Sequence, residues 1–101
     1  MKLLQTKFKE ESNPKQVDKL LGSESMDVMN IQLKAGEEIP THHADCNVLV
    51  VVRKGTISFT VEEETVELTN GVVLSMEPYE NHSLQAVEDA DLIVVKAKVG
   101  K

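Results

Sequence analysis

Gly36-Glu37-Glu38-Ile39-Pro40-Thr41-His42-His43-Ala44-Asp45-Cys46-Asn47-Val48-Leu49-Val50-Val51-Val52-Arg53-Lys54-Gly55 holds two adjacent histidines and an unbroken apolar run between bracketing glycines. Successive side chains of a strand point to opposite faces, so a run that is apolar at every position marks a strand buried on both sides. Val48 to Val52 therefore reads as a central strand. Lys54-Gly55 turns the chain after it, and Ala35-Gly36-Glu37-Glu38 breaks the pattern before it.

Outward from this stretch the period stays at two. Upstream, Met29, Ile31 and Leu33 alternate with Asn30, Gln32 and Lys34. Downstream, Ile57, Phe59 and Val61 alternate with Ser58 and Thr60, and Glu62-Glu63-Glu64 makes a solvated hairpin tip before Val66 and Leu68. Asn70-Gly71 is a strong two-residue turn signal. Val72 to Met76, His82 to Ala86 and Leu92 to Ala97 follow, separated by Glu77-Pro78-Tyr79-Glu80-Asn81 and Glu88-Asp89-Ala90-Asp91. About eight short strands with a turn every ten residues or so predict an all-β sandwich or barrel.

The N-terminal stretch reads differently. Asn13 suits a helix cap, Pro14 the first helical position and Gly22 the exit, and Val17, Leu20 and Leu21 share one helical face. The prediction is a single domain over 1–101, with an N-terminal extension and short helix over 1–24 and a barrel over 25–98.

Composition narrows the function classes. The chain has 101 residues and a formal net charge of −6, with no Lys/Arg cluster. Phosphate backbones and anionic membranes would be repelled, so neither nucleic acid nor membrane is an expected partner. Aromatic residues are 3% of the chain, too few for stacking platforms. The single cysteine, Cys46, allows no internal disulfide, and no signal or membrane-spanning stretch is legible, so the cytoplasm is the expected compartment.

His42, His43 and His82 lie at predicted strand ends, where a closed barrel can make inward positions converge. Here the chain resembles the cupin family. The stretch from Gly36 to Gly55 is similar to the first cupin motif, G-x5-H-x-H-x3-E-x6-G, with Gly36, His42 and Gly55 in register. The stretch from Gly71 to Leu84 is similar to the second, G-x5-P-x-G-x2-H-x3-N, with Gly71 and His82 in place, Pro78 one residue late and Tyr79 at the glycine position. The resemblance covers Met29 to Lys98 and implies a double-stranded β-helix, or jelly-roll, barrel of the RmlC-like type.

The resemblance also implies a metal site, from which this chain departs. Carried over by position, the ligands fall on His42, Ala44, Val48 and His82, and Ala44 and Val48 cannot coordinate. By parity Cys46 points inward between them, so His42, His82 and Cys46 are the candidate ligands for a divalent Zn, Fe, Mn or Ni. Val48, Val50, Leu74, Met76, Tyr79 and Leu84 are the candidate lining of a ligand cavity. Three functions stay open. The first is a barrel that binds a small molecule, with a degenerate metal site. The second is a metal-dependent enzyme of oxygenase or isomerase type, which the resemblance makes available. The third is a non-catalytic homodimeric interaction module that shields its edge strands.

Overall fold

The computed structural model describes residues 1–98. Nine strands follow one another: β1 (Lys15–Gly22), β2 (Met26–Leu33), β3 (Glu38–His42), β4 (Asn47–Lys54), β5 (Ile57–Val61), β6 (Glu64–Leu68), β7 (Val73–Met76), β8 (His82–Ala86) and β9 (Ala90–Ala97). They form two antiparallel sheets, a five-stranded one in the order β1-β2-β9-β4-β7 and a four-stranded one in the order β3-β8-β5-β6. The inner faces of the two sheets enclose one aliphatic core. Among the described residues no helix is long and apolar enough to cross a membrane.

The predicted N-terminal helix is corrected. Residues 15–22 are strand β1, paired antiparallel with β2 from Lys15↔Leu33 to Gly22↔Asp27. A helix this short is marginal in water, because nucleation costs more than one turn of hydrogen bonds returns. The open edge of β2 supplies a ladder instead. The spacing that looked helical has another cause. The register passes from Lys19↔Met29 to Leu21↔Val28, leaving Leu20 as a bulge that breaks the two-residue alternation. The barrel therefore takes in residues that the reading of 1–24 placed outside it.

One end of the barrel is filled. Leu33, Ile57 and Leu92 are fully buried, and Val52 and Leu68 are 2% exposed. Gly55 closes this end with φ at +83°, and a Cβ there would run into the carbonyl oxygen of Asp89. Only glycine permits both that conformation and that approach.

On the outer face a polar network ties three strands together. Arg53 on β4 donates from Nε (3.0 Å) and from its terminal nitrogen (2.7 Å) to the two carboxylate oxygens of Asp91 on β9. Asn30 on β2, fully buried, donates to Asp91 Oδ1 (2.8 Å) and to the Leu92 carbonyl (3.1 Å). Gln32 donates to Asn30 Oδ1 (3.1 Å) and to the Lys7 carbonyl (2.7 Å), which holds the N-terminal segment against the sheet.

Candidate functional site

The other end of the barrel is open. A cavity of about 260 Å³ sits between the sheets there, walled by aliphatic side chains with Phe59 the one aromatic carbocycle. Each wall residue follows from strand parity. Val48 and Val50 come from β4, Met76 from β7, Leu84 from β8, Met29 and Ile31 from β2 and Val94 from β9. The polar groups at its mouth are His42, His82 and Lys96.

His42 and His82 are direct partners in the β3–β8 ladder, just past a register irregularity between Ile39 and His42. Their rings stand edge to face with centroids 4.1 Å apart. His82 also stacks on Phe59 at 5.9 Å and is 7% exposed, whereas His42 is exposed. Each Nδ1 meets a backbone carbonyl two residues back, His42 with Pro40 at 2.9 Å and His82 with Glu80 at 3.0 Å. A carbonyl oxygen only accepts, so both Nδ1 atoms carry a proton, and Nε2 is the ring position left free on each. Burial pushes the pKa of His82 below the ordinary histidine value. The Glu80 carbonyl works against that, and the positive charge of Lys96, with that of His42 and His43 when they are protonated, adds to it. His82 is therefore a neutral acceptor near pH 7.

Of the cavity residues named from sequence, Val48, Val50, Met76 and Leu84 line the wall beside the two histidines. Leu74 does not. It lies two residues further from the mouth than Met76 along β7 and packs against the core. Tyr79 does not either. It stands in the β7–β8 turn, 66% exposed, with its ring centroid 5.9 Å from that of His43. Its φ is +70°, so the turn keeps the left-handed backbone of the family's glycine while carrying a side chain. Its backbone N–H donates to the Ala44 carbonyl (2.7 Å), pinning this turn to the β3–β4 connection.

Cys46 is buried, but in an adjacent notch lined by Asp27, His43, Ala44, Asp45, Lys96 and Lys98. Cys46 belongs to the buried core cluster and borders that notch, and it is not among the side chains that line the cavity with His42 and His82. Among the described residues no three His, Cys, Asp or Glu side chains are grouped to hold a metal ion. The mouth offers two imidazole nitrogens, with Ala44 and Val48 beside them. That donor set does not fit the family's four-ligand centre, which takes three or more protein groups.

The cavity lining named from sequence lacked Lys96, Val17, Met29, Ile31, Ile39, Phe59 and Val94. Lys96 and Val94 continue the inward alternation of Leu92, and that parity was legible. Val17 was hidden by the helical reading of its segment, and it faces the cavity because it pairs with Ile31.

Comparison with known proteins agrees with this architecture. The cupin domain family matches residues 28–97. An uncharacterized protein of Methanocaldococcus jannaschii is 32% identical over 57 residues, 56% of this chain, and the match spans about half (49%) of that relative's length. The crystal structure of an RmlC-like cupin family protein with a double-stranded β-helix fold, from the same organism, superposes with a TM-score of 0.82 at 26% identity, covering 96% of this chain and 90% of that one. A cupin superfamily protein of Desulfitobacterium hafniense gives a TM-score of 0.85 at 13% identity over 91% of this chain and 84% of its own, a likeness of fold alone. With its motifs, its two sheets and most of its length accounted for in this way, the chain belongs to the cupin domain family.

Proposed function

We propose that this barrel binds a small, partly apolar molecule in its open-end cavity. The observation that carries the reading is the cavity itself: about 260 Å³ of aliphatic wall with its polar groups confined to the mouth. Ligand sites have this build, an apolar body for affinity and a few placed polar groups for orientation, and a volume just under the usual range suits a small ligand. Alanine and valine at two of the family's ligand positions, Ala44 and Val48, turn metal-binding wall into ligand-binding wall.

The test is thermal unfolding of the full chain against a library of small organic acids, alcohols and amides. A ligand present at about a hundred times its Kd raises stability by about 2.7 kcal/mol. The binding reading expects at least one such shift, lost when Ala44→Leu fills the mouth. A metal-dependent reading expects instead near-stoichiometric metal by plasma mass spectrometry, lost in both His42→Ala and His82→Ala. That outcome would replace the first reading.

A second reading, self-association, has its own observation. Val51 pairs with Val73 and Ile93, and Leu49 with Val95, so the outer face of the five-stranded sheet carries a connected apolar strip. Leu49 is 42% and Val73 58% exposed. Leu3 and Phe8 of the N-terminal segment are exposed as well. A second copy offers both surfaces at once, strip and segment, and a two-fold pairing covers each with its counterpart. Light scattering at two concentrations expects a dimer that Val73→Lys dissociates. A monomer at high concentration removes the reading.

A further inference from the structure

Lys96 is out of keeping with its surroundings. It lies on the inward face of β9, where Leu92 and Val94 precede it at the same parity. A lysine that points into an apolar barrel ordinarily meets a carboxylate. Here the nearest candidate is Asp27, its cross-strand partner in the β2–β9 ladder. The Asp27 carboxylate is taken by other lysines, with Lys98 Nζ at 3.1 Å and Lys19 Nζ at 3.9 Å. Asp45 shares the neighbouring notch with Lys96, but among the described residues Lys96 lies within 4.0 Å of no carboxylate. No Asp or Glu lines the cavity itself. Lys96 thus lines the mouth without an ion pair within 4.0 Å among the described residues, close enough to Asp27 for its charge to act on that carboxylate but not bonded to it, on a protein whose formal net charge is −6.

With Nδ1 of each ring donating to a backbone carbonyl, Nε2 is the atom that each ring has left for a ligand, and with its lone pair free it calls for a donor. One cation, two acceptors and an apolar wall define a ligand by complementarity. We propose that the cavity is built for a small hydroxy acid with a branched hydrocarbon body: the carboxylate on Lys96, the hydroxyl donating to the His42–His82 pair, and the hydrocarbon against Val48, Val50 and Val94. This rests on the small-molecule reading above and names the chemical class that it takes.

The test uses calorimetry on the full chain with three probes of one hydrocarbon skeleton: leucate, which has both groups, leucamide, which lacks the charge, and isocaproate, which lacks the hydroxyl. Leucate is expected to bind tighter than leucamide by about tenfold or more, the usual worth of a charge-assisted hydrogen bond. Lys96→Met is expected to remove that preference and Lys96→Arg to keep most of it, with the melting of each variant confirming that it folds. Isocaproate is expected to bind several-fold more weakly than leucate, a difference that His82→Leu abolishes. Equal binding of leucate and leucamide overturns the assignment of Lys96 while leaving the ligand-binding reading intact. Equal binding of leucate and isocaproate overturns the role given to the imidazoles. Binding by none of the three overturns this inference, and the ligand-binding reading falls only if the wider library also fails.

Discussion

The two ends of this barrel are made by the same strands and by the same inward alternation, yet one is solid and the other hollow. At the filled end Leu33, Val52, Ile57, Leu68 and Leu92 leave almost no surface to solvent. At the open end β2, β4 and β9 present Met29, Val48 and Lys96, β7 adds Met76, and the β3–β8 pair presents His42 and His82. Close packing at one end supplies stability. The other end gives up packing contacts for a cavity and places its titratable side chains around it. Binding sites are commonly carried on such a division, with a rigid scaffold below and adaptable chemistry above.

The sharpest way to break the comparison is to carve the filled end. Leu92→Ala removes a fully buried side chain from surroundings that cannot collapse, and is expected to cost about 4 kcal/mol in urea unfolding. Met76→Ala, at a wall that already faces empty space, should cost about 2 kcal/mol, mainly its transfer term. Equal costs would mean that the open end is packed as tightly in solution as the filled end.

Gly55→Ala comes next. It places a Cβ against the Asp89 carbonyl and imposes a left-handed φ on alanine, so a loss of about 3 kcal/mol is expected by the same measurement. A loss below about 1 kcal/mol would show that the β4–β5 turn relaxes and does not lock this end.

The smallest effect belongs to His82 and has a definite sign. Burial holds its folded pKa below the ordinary value of 6.5, so between the two values the unfolded chain binds more protons than the folded one. Stability therefore falls as pH drops through about 6.5 and levels off below the folded pKa. His82→Phe removes this proton linkage and keeps the stack on Phe59. The wild-type curve minus the variant curve is expected to slope downward toward acid. A flat difference would show that His82 protonates in place and that the open end is wetter than its burial implies.

Much of the fold was legible because alternation is a local property. Val48 to Val52, flanked by Gly36 and Gly55, specified a central strand and its two turns, and His42, Val48, Val50, Met76, His82 and Leu84, which share one parity, lie around one cavity. What was not local went unseen. Residues 15–22 carry helix signals, and only the unpaired edge of β2 makes them a strand, because a ladder partner is a property of the assembled sheet. Parity also sent Cys46 and Leu74 to the cavity, and the family motif put Tyr79 over it, whereas Cys46 and Leu74 pack with the core and Tyr79 stands exposed in a left-handed turn. The sequence by itself determined the alternating strands downstream of residue 25 and, along them, which side chains share a face. The tertiary structure alone decided that His42 meets His82 and that the close ion pair of Asp27 is with Lys98 and not with Lys96 at the mouth. Those pairings are set by the register of strands distant in the chain, and register depends on the whole sheet.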